Sequence, residues 1–268
     1  MFAPVEYEDM RPFINIAEIL LKANLRAPKI YGVDYDSGFL LLEDFGDISF
    51  NKSMVQGNTE HEKYLYQNSI DVLHKICEID NCDSVKHYNH GLLLQEVMLF
   101  IDWYLKFERK ITLSVSQIKE FRDIFFELFD KINHRDKKLV LRDYHADNLM
   151  VIADQSGENG VGLLDFQDAV LGSAAYDLVS LLEDARRDVD PDLALELLEY
   201  YLVRGEVTDK LQFKNEYKIL SLQRNIKILG IFARLAHRDG KRSYLKMMPR
   251  VKKYVLARIS QDDELFSS

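Results

Sequence analysis

The chain has 268 residues, 47% hydrophobic and 29% charged, with 12 glycines and 5 prolines, enough to bury a core without disulfide or metal staples and outside disordered or collagen-like compositions. Its 35 basic and 44 acidic residues leave a net charge of −9, so no global basic field gathers phosphates and a nucleic-acid partner is not expected. Cys77 and Cys82 have no second Cys or His pair at zinc-ligand spacing, Met1 to Arg11 lacks the basic start and apolar run of a signal peptide, and no apolar stretch approaches the ~20 residues of a membrane span. These features predict a cytoplasmic chain with no membrane partner.

From Pro12 to Ala23, the residues Phe13, Ile14, Ala17, Ile19, Leu20 and Leu21 form a broad apolar face, which predicts a helix. Lys29 to Val33 and Phe39 to Glu43 are β-rich runs joined by the turn composition Asp34 to Gly38, a hairpin signal. Asp44 to Gly57 is polar enough to hold a hinge. Helices are then expected over Glu60 to Ile79, where Leu65, Ser69, Val72, Leu73, Ile76 and Ile79 recur at three- and four-residue steps, and over Leu92 to Lys106 and Ser116 to Ile132. Short strand runs follow at Lys138 to Leu141, Leu149 to Ala153 and Val161 to Leu164. The remaining helices are expected at Tyr176 to Arg186, Leu193 to Val203, Phe213 to His237 with Gly230 as a candidate break, and Tyr244 to Ile259. A small β-containing piece before a mainly helical part predicts an α+β architecture.

The run Leu139 to Met150 contains Asp-x-x-x-x-Asn as Asp143 and Asn148, and Val161 to Asp168 delivers Asp165 from the end of an apolar strand. If Leu149 to Ala153 and Val161 to Leu164 pair as a hairpin through Asp154 to Gly160, position 149 lies opposite 165. Asn148 then meets Asp165 at the open end. Opposed residues have Cα atoms about 4.5–5.5 Å apart, close enough for an amide oxygen and a carboxylate to share a hard cation. Asp143 leaves the preceding strand toward the same space. On this reading Asn148 and Asp165 are magnesium ligands, and Asp143 is the catalytic base that takes or orients the proton of an attacking hydroxyl in phosphoryl transfer. Each residue alone also fits an Asx-turn; the combination points to chemistry.

At these residues the sequence resembles the aminoglycoside phosphotransferase and choline kinase-like branch of the protein-kinase fold, over nearly the whole chain. Within that branch, the runs Asp143 to Leu149, Gly162 to Ala169 and Tyr176 to Val189 resemble the anomeric kinases of N-acetylmuramate and N-acetylglucosamine, which serve peptidoglycan recycling. The resemblance implies a protein-kinase-like fold with a truncated β N-lobe in residues 1–45 and a mainly helical C-lobe in residues 46–268. It implies ATP-dependent phosphorylation of a sugar's anomeric hydroxyl, with ATP and Mg2+ as cofactors and a small-molecule sugar as partner. Backbone groups around Glu43, Asp44 and Phe45 are then the nucleotide hinge, and Asp177 braces the catalytic loop. Arg142 is the residue before the base, or a partner for nearby acids. Glu96, Trp103, Tyr104, Asp184 and Arg186 are acceptor-side candidates, with a core role for Trp103 and a helical surface pair for Asp184 and Arg186 left open.

The chain departs from the broader pattern in places. Leu141 and Arg142 precede Asp143, where aminoglycoside phosphotransferases usually carry His-Gly. No G-x-G-x-x-G or Walker motif is present, and Gly157, Gly160 and Gly162 read as turn residues. Met1 to Val5 resembles the end of the third N-lobe strand of the sugar kinases, so the first part of the N-lobe is expected to be missing and an upstream-encoded segment is an expected partner. Two alternatives stay open: another small-molecule kinase of this fold, acting on an aminoglycoside, choline or homoserine-type hydroxyl, and a truncated remnant without catalysis.

Overall fold

Local rules account for most of the element boundaries. Helix α1 (Arg11–Lys22) starts with proline in its first turn and buries Phe13, Ile16, Ala17 and Leu20, the spacing of one helical face. Strands β1 (Ile30–Asp34) and β2 (Phe39–Leu42) pair antiparallel; Asp34 Oδ1 accepts the amides of Asp36 and Ser37, the Asx geometry that closes the turn. Leu40 is buried while Phe39 and Leu41 are exposed, and Phe2 makes an antiparallel bridge to Phe39. The short α2 (Phe50–Ser53), capped by Ser49, precedes α3 (Thr59–Cys77), capped by Asn58. Helix α4 (His90–Leu99) is capped by Asn89, and a Ser114–Gln117 capping box opens α5 (Val115–Asp130).

Strands β3 (Lys138–Val140), β4 (Leu149–Val151), β5 (Val161–Leu163) and β6 (Val170–Gly172) form two antiparallel pairs, β3 with β6 and β4 with β5. Helices α6 (Ala175–Leu182), α7 (Pro191–Arg204), α8 (Lys210–His237) and α9 (Met248–Gln261) follow. A computed structural model describes residues 1–54, 58–80, 82–133 and 136–261; positions 55–57 of the expected hinge stretch lie outside the described residues. No helix of the described residues is long and apolar enough to cross a membrane.

The chain divides into two compact units. The first holds residues 1–86, 138–182 and 190–206, and the second holds 87–137, 183–189 and 207–268. The boundary expected after residue 45 therefore falls inside the first unit, which joins the β1–β2 hairpin to both short strand pairs. In the second unit α8 is buried along most of its length, with α4, α9 and the segment 100–108 packed on it.

The structure differs from the sequence expectation at three helices. Leu92 to Lys106 does not form one α-helix: after α4 the chain widens into a π-helical segment, Phe100–Glu108. Helix α8 is unbroken at Gly230. A Cβ there would lie 2.4 Å from the carbonyl carbon of Leu99, so glycine admits close backbone approach where α4 passes into the π segment. Helix α6 stops at Leu182 rather than running to Arg186. Glu183 instead turns into a buried network of the second unit, accepting from Ser221 Oγ at 2.6 Å, Asn225 Nδ2 at 2.6 Å and Arg258 Nη2 at 2.6 Å.

Candidate active site

The loop after β3 is held from α6. Asp177, 2% exposed, accepts the amides of Leu141 at 2.6 Å and Arg142 at 2.8 Å, and Ser180 Oγ donates to the Arg142 carbonyl at 3.1 Å. Arg142 has φ +72°, a left-handed conformation that costs a non-glycine residue on the order of 1–3 kcal/mol and persists only when its surroundings overdetermine it. Both of its peptide groups are tied down, and its Nη1 reaches the Asp168 carbonyl at 3.3 Å. The next residue, Asp143, is thereby aimed by a strained and braced backbone.

The loop closes on itself through Asn148. Its Nδ2 donates to the Asp143 carbonyl at 3.0 Å and to Asp165 Oδ2 at 3.2 Å, while its own amide donates to the His145 carbonyl at 2.9 Å. Tyr144 is buried beneath, donating to the Ser69 carbonyl at 2.8 Å; burial first, and then the charge of Asp177, push its phenol well above the usual range. On the other side Asn51, in α2, donates from Nδ2 to Asp147 Oδ1 at 2.7 Å and from its amide to the Ala146 carbonyl at 3.1 Å.

Asp165 arrives from β5. The observed register pairs Leu149 with Leu163 and Met150 with Gly162, so the expected pairing of 149 with 165 is corrected by two residues. The turn begins earlier than the strand pattern suggested: Asp154 has φ +60°, the Gln155 amide folds back to the Ile152 carbonyl, and Ile152 closes on Gly160. A shift of two preserves which side chains share a face, and Asn148 still meets Asp165. Asp165 itself has φ +58°, and its Oδ1 accepts from Gln167 Nε2 at 2.7 Å. Phe166 is fully buried and stacks on Phe13 of α1 with centroids 4.9 Å apart, anchoring the loop that carries the carboxylate.

Asn148 faces the Asp165 carboxylate with Nδ2, and Oδ1 is the acceptor of that side chain. One amide oxygen and one carboxylate are hard donors suited to Mg2+, which keeps several waters and takes phosphate oxygens as its other ligands. Among the described residues, no group of three or more His, Cys, Asp or Glu forms a metal cluster.

The expected hinge follows β2. The Glu43 amide is already spent on the Lys29 carbonyl at 2.8 Å, whereas the peptide groups of Asp44 and Phe45 lie past the strand pairing. Asp44 Oδ1 accepts the Gly46 amide at 2.8 Å, which shapes the turn. The Glu43 carboxylate accepts from Arg26 Nη2 at 2.8 Å and from the Lys29 amide at 3.2 Å. Burial raises its pKa, but these hydrogen bonds and the charges of Arg26 and Lys29 together outweigh burial and hold it below its ordinary value.

A model of the phosphotransferase enzyme family matches residues 1–213. The chain belongs to that family. It is 31% identical over 271 residues to the N-acetylmuramate/N-acetylglucosamine kinase of Pseudomonas aeruginosa, covering 99% of this chain and 78% of that protein. It is 33% identical over 271 residues to the enzyme of the same name from Pseudomonas putida, with the same coverage. Among solved structures, the AMP-bound spectinomycin phosphotransferase shares the fold with a TM-score of 0.67 at 12% identity, covering 96% of this chain and 85% of that one.

Within this phosphotransferase, Asp143, Asn148, Asp165, Arg142, Asp177 and the hinge residues belong to the first unit, and the five acceptor-side candidates belong to the second. Glu96 is buried in its own unit, accepting from Tyr88 Oη, from Gln223 Nε2 at 3.0 Å and from Lys227 Nζ at 3.0 Å. Trp103 stacks on Phe107 within the π segment at 5.0 Å. Tyr104 is buried against Phe100 at 4.9 Å, with Lys252 Nζ 5.5 Å from its ring centroid. Asp184 and Arg186 are not a helical surface pair: Asp184 is buried past the end of α6, and its Oδ1 accepts the Arg186 amide at 2.8 Å.

Sequence reasoning missed Asn51, Ser180, Gln167 and Arg26. For Arg26 a signal was available, because a lone arginine stands between Leu25 and Ala27, both buried, in a run ending at Pro28. For Asn51 no local signal exists, since its partner Asp147 lies 96 residues away.

Proposed function

We propose that this phosphotransferase moves the γ-phosphoryl group of ATP onto the anomeric hydroxyl of N-acetylmuramate or N-acetylglucosamine, giving the sugar 1-phosphate. The observation that carries the reaction class is the Asn148 amide, which ties the Asp143 backbone to the Asp165 carboxylate. The acceptor rests on identity to kinases of that name across 99% of the chain.

In this reading the Asp143 carboxylate accepts the proton of the anomeric hydroxyl as that oxygen attacks phosphorus. Its position is set by the left-handed Arg142 and the Asp177 brace, and such positioning is most of what a phosphoryl-transfer enzyme contributes. The peptide groups of Asp44 and Phe45 read the adenine edge. Asn148 Oδ1 and Asp165 would hold Mg2+, which when bound neutralises charge on the phosphates. Glu96, held by Tyr88, Gln223 and Lys227 inside its own unit, supports the second unit's interior, while Trp103 offers an aromatic face of the kind that stacks on a sugar.

The test is ATP consumption by the purified chain with Mg2+ against a panel of N-acetylmuramate, N-acetylglucosamine, kanamycin and choline. Turnover of either N-acetylated sugar above the others is expected. Turnover of kanamycin or choline with none of the two sugars would reverse the acceptor assignment, and no turnover of any would remove the activity from this chain.

A further inference from the structure

Arg26 lies between α1 and β1, outside every motif considered above, yet its contacts join the two ends of the nucleotide site. Its carbonyl accepts the Leu163 amide at 2.8 Å, and it forms a parallel bridge with Gly162, so its backbone runs beside β5 two residues before Asp165. Its side chain points to the hinge: Nη2 donates to Glu43 Oε1 at 2.8 Å, and the guanidinium lies 5.2 Å from the centroid of the Phe45 ring. Phe45 in turn covers Gly162, where a Cβ would sit 2.8 Å from the ring. The circuit is closed. Arg26 touches Glu43 and Phe45, Phe45 touches Gly162, and the β5 backbone returns to Arg26.

This arrangement differs from ordinary packing because it joins the exit from β2 to the strand that leads to Asp165. Glu43 is further fixed at Lys29, by both its amide and its carboxylate, so residues 26–29 are tied to β5 at one end and to the hinge at the other. A planar guanidinium suits this place because it can hydrogen-bond a carboxylate in its plane while lying over an aromatic ring, which an ammonium group does poorly. The distance between the adenine-reading peptides and Asp165 is then set by the Arg26 side chain as well as by the backbone.

We propose that Arg26 is a positioning residue that couples the base end of the nucleotide site to its phosphate–metal end, holding the two at the span of a single nucleotide. The inference rests on the kinase reading above, and binding rather than turnover separates the two. Affinities of adenosine, which occupies the base end alone, and of ADP with Mg2+, which spans both ends, are measured by titration calorimetry on the whole chain, for the wild type, Arg26→Met and Arg26→Lys. Coupling between sites is typically worth 5- to 150-fold in affinity. Arg26→Met is expected to weaken Mg-ADP about tenfold and to leave adenosine within about twofold, with Arg26→Lys between it and the wild type.

A purely structural role would weaken adenosine and Mg-ADP equally, and that result would overturn the proposal, as would unchanged Mg-ADP affinity. If Arg26→Met fails to fold, Arg26→Gln, which removes the guanidinium and keeps a polar end, must show the same selective loss of Mg-ADP; equal loss of both ligands there overturns the proposal too. A wild-type chain that binds neither ligand would remove the nucleotide reading itself, and the coupling with it.

Discussion

Asp177 shows how much of the site depends on a side chain that performs no chemistry. A carboxylate accepting two amides at 2.6 and 2.8 Å makes charge-assisted bonds, and it makes them to the two successive peptide groups that lead into the left-handed Arg142. Asparagine at this position keeps the shape but turns an NH2 group toward one of those amides. Asp177→Asn should therefore destabilise the fold by about 1–3 kcal/mol and lower kcat by roughly tenfold or more through misplacement of Asp143, read as a fall in melting temperature beside steady-state kinetics. A variant with wild-type kcat would show that the loop holds its conformation without the brace.

Glu43 gives a pH dependence with a defined sign. Burial works against its ionised form, but Arg26 and Lys29 more than compensate, so its folded pKa lies below the ordinary 4.5. A depressed carboxylate contributes stability that is fully present above the unfolded pKa and is lost as pH falls through the folded value. Glu43→Gln should thus be less stable than the wild type near pH 7, and the gap should close between about pH 5 and about pH 3 in denaturant titrations. A gap that stayed constant across that range would mean that the carboxylate's charge is not what Arg26 recognises.

At the scale of elements, β5 is the most constrained piece of the site. Gly162 faces Phe45 at 2.8 Å and Ile152 at 2.6 Å from an added Cβ, so Gly162→Ala must push apart the hinge ring and the turn side of the hairpin. A loss of about 1–3 kcal/mol is expected, with a rise in the KM for ATP, since the displaced ring belongs to the hinge. A melting temperature and KM equal to the wild type would contradict the packing described here.

The hairpins and most helices were legible because their signals are local: the turn composition Asp34 to Gly38 between two β-rich runs, and apolar residues at three- and four-residue steps within Glu60 to Ile79. Asp143, Asn148 and Asp165 were legible as a group because each lies within three residues of a strand end, Asp143 after β3, Asn148 before β4 and Asp165 after β5. Strand β6 was not, since Val170–Gly172 is three residues long and pairs with Lys138–Val140 far upstream, leaving no local pattern. The π segment was hidden for a related reason: its apolar spacing fits an ordinary helix, and the widening occurs where Gly230 on α8 admits its backbone. The braces from Asn51 and Arg26 depend on partners brought together only by the tertiary fold, so the residues of the centre could be read while most of their supports could not.

At the scale of the whole molecule, the two units organise polar groups in different ways. In the first, buried or half-buried polar side chains hold loops: Asp177 and Ser180 hold the exit of β3, Asn51 its far side, Arg26 the hinge. In the second, they hold helices to one another, as Glu183 does with Ser221, Asn225 and Arg258, and Glu96 with Gln223 and Lys227. The irregular backbone of the first unit is thus tied down by side chains from several elements, whereas the polar groups of the second unit join its own helices.

On the proposed function, Asp143, Asn148 and Asp165 form one phosphoryl-transfer centre directed at an anomeric hydroxyl. It is tested most directly by phosphorus NMR of the product formed from ATP, Mg2+ and N-acetylmuramate or N-acetylglucosamine, run beside the Asp143→Asn variant. The expected product is a sugar phosphate whose phosphorus couples to the anomeric proton, formed by the wild type and about 10²- to 10⁴-fold more slowly by the variant. Phosphorus coupled to any other sugar proton, or equal rates for the two proteins, would contradict it.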